Sequence, residues 1–272
     1  MGRCADGGHE GNPRRMSGTT FDTAMRPPSK LLLLAELRAF GEFALGLATL
    51  PALAAAPKGD GHTVLVLPGF LTSDSSTDFM RRALRGLGLN AVGWNMGRNL
   101  GGLYGMRDKL REKVAALKKE SGSKVSVVGW SLGGVYARDL ALSLPDMVRG
   151  IVTLGSPFSG DLRANNVGRL YDVVSGESVD DADPGDVAAL AGHLPVPATS
   201  IFSRTDGVVH WRTSQVQDHH SAENIEVIGA SHLGLGFNPA VLWALADRLA
   251  QPEGAFTPFK RKGPFALAYG AP

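Results

Sequence analysis

The run Gly129-Trp130-Ser131-Leu132-Gly133 has the form G-x-S-x-G, in which a sharp strand-to-helix turn presents a serine hydroxyl as a nucleophile. Glycines two positions before and after the serine suit such a turn, because crowded backbone there leaves no room for a Cβ. The string by itself says little, since a chain this rich in glycine and serine gives ~0.3 matches by chance. Its surroundings carry the weight. Lys124 to Val128 (KVSVV) is an apolar, β-branched run directly before it, and LGGVYARDLALSL follows with an apolar face, so strand, turn and helix come in the required order. A phosphate-binding turn would want further glycines before Ser131 or a lysine after it, and neither is present.

A serine hydroxyl is a weak nucleophile at neutral pH and needs an imidazole as base, with a carboxylate to fix its tautomer. The chain has 7 histidines. His9 falls in the N-terminal stretch, His62 precedes the first strand, His193 lies in an irregular region, and His210, His219 and His220 follow the penultimate strand. His232 alone lies in a short loop directly after the last strand (NIEVIGASHLGLG), where a base must sit to meet a serine at the same sheet edge. Asp206, in Ser203-Arg204-Thr205-Asp206-Gly207, follows the strand Ala198 to Phe202 and projects at that edge too; its plainer role is a turn aspartate before glycine. A tetrahedral oxyanion needs two backbone donors. The amides of Leu132, after the nucleophile, and Phe70, in the turn Leu67-Pro68-Gly69-Phe70-Leu71, are the candidates, the latter against an ordinary Pro-Gly turn.

Trp94, Trp130, Phe158 and Leu235 follow strands or flank these residues and are expected to line an apolar substrate pocket, as are Trp211 and Phe237, although most aromatics are core. Asn99 could hydrogen-bond near the pocket, but a turn asparagine is the preferred reading. Asp218, His219 and His220 make a poor metal site because adjacent histidines point apart on a strand, so no metal is expected.

These residues need a scaffold that brings strand ends together. From Gly61 onward short apolar runs alternate with helical stretches: strands over Thr63 to Leu67, Ala91 to Trp94, Lys124 to Val128, Val148 to Leu154, Ala198 to Phe202 and Asn224 to Ile228, and helices over Thr77 to Leu87 (capped by Ser76 or Thr77), Tyr104 to Glu120, Leu132 to Leu144 and Pro239 to Ala250. That order predicts an α/β fold with a doubly wound, mostly parallel sheet over residues 61–250, whose ligands bind beyond the carboxyl ends of the strands. Residues 160–195 interrupt the alternation with an acidic stretch, read first as a solvated loop and alternatively as a lid over the pocket. Residues 251–272 form a C-terminal tail.

Residues 1–29 are rich in Gly, Pro, Arg and Ser without a sustained period and read as a flexible leader. Residues 30–60 are strongly apolar, but Glu36, Arg38 and Glu42 break the run before it reaches membrane-spanning length. The preferred reading is an N-terminal apolar helical segment docked on the body; the alternatives are a signal peptide within residues 1–56, cleaved near Ala54, and peripheral membrane contact through residues 31–50. Lys plus Arg total 28 against 26 for Asp plus Glu, too weak a field to suggest a nucleic-acid partner. The 1 cysteine, Cys4, excludes an intrachain disulfide and mildly favours a reducing, cytoplasmic compartment.

Taken together, GWSLGG, LPGFLTSD, TLGSPFSGD, SRTDGVV and GASHLG resemble the α/β-hydrolase family, especially bacterial esterases and lipases, over about residues 61–250. The chain order Ser131, Asp206, His232 is the order of that family. The resemblance implies a carboxylic-ester hydrolase without a cofactor, acting on a small-molecule or lipid ester, with Ser131 as nucleophile, Asp206 as acid, His232 as base, and Phe70 and Leu132 as oxyanion donors. Lipases of this type have His where this chain has Pro68 and Phe158, which bears on pocket shape rather than on catalysis. An acyltransferase or thioesterase would use the same residues. A member of a different class, a catalytically silent binding or membrane-associated module, would not need them intact.

Overall fold

The computed structural model describes residues 25–217 and 220–271. Cys4, His9, most of the expected leader, Asp218 and His219 lie outside the described residues. Six strands form one all-parallel sheet: β1 (Thr63–Leu67), β2 (Asn90–Gly93), β3 (Val125–Trp130), β4 (Val148–Leu154), β5 (Ala198–Phe202) and β6 (Ala222–Glu226), in the order β2-β1-β3-β4-β5-β6. β1, β3 and β5 are buried at every residue, which is why they read as unbroken apolar runs rather than alternating ones.

Side chains of β1 alternate between two cores. Val64 and Val66 pack with Met80 and Leu84 of α4 (Asp74–Gly86) and with α9 (Pro239–Leu249). Leu65 and Leu67 pack with Leu110 and Val114 of α5 (Leu103–Ser121) and Tyr136 and Leu140 of α6 (Leu132–Ser143). The chain leaves β1 outward to β2 and then returns past β1 to β3, so the winding direction reverses between β1 and β3. The carboxyl ends of these two strands, where a doubly wound sheet binds ligands, carry Phe70 and Ser131 respectively.

The first expected helix begins earlier than its sequence suggested. Ser73, not Ser76 or Thr77, is its N-cap, and it makes no side-chain cap bond. The Asp74 carboxylate is spent elsewhere, accepting the amides of Trp94 and Asn95 after β2 at 2.9 Å each.

The N-terminal segment folds as α1 (Lys30–Leu34), a 3₁₀ turn (Ala35–Arg38), α2 (Ala39–Ala48) and α3 (Leu50–Leu53). Its polarity is inverted: Glu36 is 5% exposed whereas Leu31 and Phe40 are 79% and 76% exposed. Among the described residues no helix is long and apolar enough to cross a membrane.

Residues 160–195 are more than a solvated loop. They contain α7 (Gly168–Ser175) and α8 (Pro184–Ala191), and Arg163 ties the stretch together through Asp172 at 2.6 Å and Asp180 at 2.7 Å. Residues 251–271 do not trail from the body either. Tyr269 is buried, donates its hydroxyl to the Ala240 carbonyl at 2.7 Å and pairs with Val227, while Phe265 meets the Trp243 ring.

Candidate active site

Ser131 sits between β3 and α6 with φ 53° and ψ −122°, a conformation that costs a non-glycine residue of order 1–3 kcal/mol. The neighbouring glycines let the chain pass. A Cβ on Gly129 would strike the backbone of Gly133 and Gly134, and one on Gly133 would strike the Leu67 carbonyl at the end of β1. The Ser131 amide donates to Leu154 O at 2.8 Å, fixing the turn to the end of β4.

His232 is 4% exposed, and its Nδ1 lies 2.7 Å from Asp206 Oδ2. The other carboxylate oxygen of Asp206 accepts the amides of Val208 and Val209, each at 2.8 Å, so the acid cannot rotate away from the ring. Burial opposes the charged imidazolium, but the Asp206 carboxylate beside it, reinforced by Glu36, outweighs that and raises the His232 pKa above its ordinary value. The Trp130 indole N–H donates to the His232 carbonyl at 3.1 Å, linking the His232 loop to the residue before the serine. Among the described residues the Ser131 hydroxyl and His232 Nε2 have no hydrogen-bond partner, and no hydrogen bond joins them; bonds of this kind commonly tighten only around substrate.

Gly155 lies beneath this pair, directly after Leu154. It has φ +52°, and a Cβ there would meet Leu235 Cδ1 at 2.7 Å, Asp206 Oδ2 at 3.0 Å and His232 Nδ1 at 3.1 Å. Sequence reasoning passed over it, although the Leu-Gly-Ser-Pro step after β4 was the available signal. Gly155→Ala is expected to lower kcat on an activated ester by about 100-fold, because ångström-scale displacement of a catalytic group costs that much. Steady-state kinetics on folded variant, verified by circular dichroism, checks this; unchanged kcat would refute it.

The amides of Phe70 and Leu132 donate to no protein group among the described residues, and both residues line the same cavity as Ser131. The turn bearing Phe70 is held by Asn99. Its Nδ2 donates to Pro68 O at 2.9 Å, its carbonyl accepts the Leu71 amide at 2.7 Å, and its Oδ1 accepts from Tyr136 Oη at 3.2 Å. Asn99 is fully buried and holds the turn bearing Phe70 from behind, so it is no pocket wall; its Oδ1 also accepts the Gly101 amide at 3.1 Å, the bond of the expected turn asparagine.

That cavity has a volume of about 370 Å³. Its walls are mostly apolar, formed by residues such as Phe70, Leu103, Leu132 and Val135, and by Leu162, Tyr171, Val187 and Leu190 from the 160–195 stretch, with acidic Glu177, Asp181 and Asp186 among them. None of the six side chains expected to line it, Trp211 and Phe237 included, does so. Trp94, Trp130, Phe158 and Leu235 are buried in the cores on either side of the sheet or beneath the site. Phe158 lies under the Arg138 guanidinium at 4.1 Å, and Leu235 packs against Gly155. Large apolar residues at strand ends face the helices that cover the sheet, which leaves the pocket to the insertion above it. No group of metal-ligating side chains occurs among the described residues.

The fold recurs in solved structures. The chain aligns with lipase B of Aspergillus fumigatus at 17% identity and TM-score 0.54, covering 73% of this chain and 55% of that one. It aligns with the mature form of a Bacillus licheniformis lipase at 14% identity and TM-score 0.55, covering 72% and 95%. A third match is a lipase-esterase related protein of Clostridium acetobutylicum, at 12% identity and TM-score 0.51, covering 71% and 97%. The chain has the α/β-hydrolase fold. It spans little more than half the length of the Aspergillus enzyme. No family model matches the chain. No curated protein matches it by sequence. Within the α/β-hydrolase fold, the loops after β1, β3, β5 and β6 carry Phe70, Ser131, Asp206 and His232 to one edge of the sheet.

Proposed function

We propose that the protein is a serine hydrolase that cleaves carboxylic esters with an apolar acyl group. One observation carries this reading: a buried His232–Asp206 pair at 2.7 Å stands at the sheet edge where a strained Ser131 opens into a largely apolar cavity of about 370 Å³. Ser131 Oγ attacks the ester carbonyl carbon while its proton passes to His232 Nε2. The carbonyl oxygen, now an oxyanion, takes hydrogen bonds from the free amides of Phe70 and Leu132. Collapse of the intermediate breaks the bond to the alcohol, which leaves with the proton from His232. Water then repeats the sequence on the acyl-Ser131 ester, releasing the acid and restoring the hydroxyl.

The folded protein is expected to form a covalent adduct with a fluorophosphonate probe, mapped by peptide sequencing to Ser131. It is also expected to hydrolyse p-nitrophenyl esters of apolar acids without added metal or cofactor. No adduct and no turnover would leave a binding module as the better reading. A raised yield of new ester when an alcohol is added would instead mark an acyltransferase, which needs the same residues.

A further inference from the structure

The N-terminal segment is bonded to the loops that carry the acid and the base, and to little else of the sheet edge. Glu36 Oε1 accepts the Gly207 amide at 2.8 Å and the His232 amide at 3.0 Å, and Oε2 accepts the Leu233 amide at 2.9 Å. One carboxylate thus bridges the residue after Asp206 and the base itself. Glu42 adds the Ser231 amide at 2.8 Å and the Asn238 side-chain amide at 2.8 Å. Arg38 serves the opposite polarity, donating to the carbonyls of Thr205 at 2.5 Å, Ala230 at 3.0 Å and Gly229 at 3.2 Å.

The close fit leaves little space for adjustment. A Cβ on Gly207 would strike the Leu32 carbonyl, and one on Gly234 would strike the Glu42 carboxyl group. Loops that leave a sheet expose amides and carbonyls with no strand partner, and buried ones must be satisfied. Here the three charged side chains that interrupt the Leu-rich run do so. Charge-assisted hydrogen bonds of this kind are stronger than neutral ones.

We propose that Glu36, flanked by Arg38 and Glu42, is a positioning residue that locks the Asp206 and His232 loops in register, so that the N-terminal segment is part of the catalytic apparatus. This rests on the reading of Asp206 and His232 as acid and base. Segment and active site therefore form one unit, and cleavage near Ala54 would remove the carboxylates that hold the base.

Glu36→Gln tests it. A carboxamide has one oxygen, so its NH₂ must face at least one of the three amides that the carboxylate accepts, a donor against a donor. With p-nitrophenyl butyrate, kcat is expected to fall about 10- to 100-fold with KM within about 3-fold of wild type. The pH profile separates positioning from plain destabilisation. The charged groups facing the His232 loop are Asp206 from the acid loop, and Glu36, Glu42 and Arg38 from the N-terminal segment. Removing the Glu36 charge removes one contribution that favours the imidazolium, so the acid limb of kcat/KM is expected to move to lower pH. Glu36→Asp, which keeps the charge, is expected to return the limb toward wild type even where its shorter reach leaves kcat reduced.

Folded Glu36→Gln protein with wild-type kcat and an unmoved limb would overturn the proposal. So would a loss proportional to the unfolded fraction measured by circular dichroism, again with the limb unmoved. Should Glu36→Gln not fold, the kcat and limb of Glu36→Asp and Glu42→Gln decide: reduced kcat at constant KM supports the proposal, and wild-type kcat in both refutes it. Ser131→Ala runs alongside. If that variant retains turnover, the reading of the site fails and the positioning role falls with it; if it is inactive while the Glu36 variants are normal, only the positioning role fails.

Discussion

Protein carrying Ser131→Ala is expected to hydrolyse p-nitrophenyl butyrate at least about 10⁴-fold more slowly than wild type, with its fold intact. The size follows from what is removed. In the proposed mechanism no acyl-enzyme forms without the hydroxyl, and only the oxyanion donors and substrate binding remain to help water, a residue of catalysis far below that of the intact machinery. Alanine takes up no new space at the elbow, and the backbone there is fixed by the Ser131 amide on Leu154 O and by glycines at 129 and 133. The stability change is therefore expected to stay within about 1 kcal/mol, the range of substitutions that leave packing and buried hydrogen bonds alone. Initial rates together with a thermal melt check both halves. Turnover within about 10-fold of wild type would show that another group performs the chemistry.

The sheet was legible because its inner strands are short apolar runs with mostly buried side chains. Thr63–Leu67, Val148–Leu154 and Ala198–Phe202 match their expected bounds. Edges were less so. β6 begins at Ala222, two residues before the apolar run, and ends at Glu226, because Val227 turns away to pair antiparallel with Tyr269. No local pattern in Asn224 to Ile228 announces a partner more than forty residues downstream. The start of α4 is hidden from the sequence for a similar reason: the acid in its first turn serves the backbone after β2 and not its own helix.

The site divides along the same line. That Ser131, Asp206 and His232 share one sheet edge was legible because each is tied to a strand end, and strand ends are what periodicity locates. The pocket was not, since its walls come largely from residues 160–195, whose acidic composition reads as solvated surface while Leu162, Tyr171, Val187 and Leu190 turn inward. The N-terminal segment was harder still. Hydropathy assigns leucines to the interior and Glu36 to water, whereas the structure exposes Leu31 and buries Glu36 against three amides. A charge is buried where unpaired backbone groups await it, and where those groups are depends on tertiary structure alone.

The second large effect is expected from Asp206→Asn, and it turns on a single proton. Asp206 Oδ1 already accepts two amides, from Val208 and Val209, so an asparagine must leave its oxygen there and turn its NH₂ toward His232 Nδ1. Facing a donor, the imidazole has to present a lone pair at Nδ1 and carry its proton on Nε2. In the proposed mechanism that nitrogen takes the Ser131 proton, so the base would be blocked while every heavy atom stays in place. The expected loss in kcat is about 10³- to 10⁴-fold, the scale of a wrong tautomer in such a relay. The pH dependence gives an independent reading. In the wild type burial lowers the His232 pKa, but the Asp206 carboxylate and its hydrogen bond, together with Glu36, outweigh that and hold it above its ordinary value; the neutral base is therefore lost as pH falls through that raised value, and kcat/KM falls with it. In Asp206→Asn burial is opposed only by the weaker influence of Glu36, so the residual acid limb is expected at lower pH. Kinetics between about pH 5 and 9 measure both effects, that being the span in which a histidine titrates. A variant that keeps wild-type kcat with an unshifted limb would show that Asp206 neither fixes the tautomer nor tunes the base.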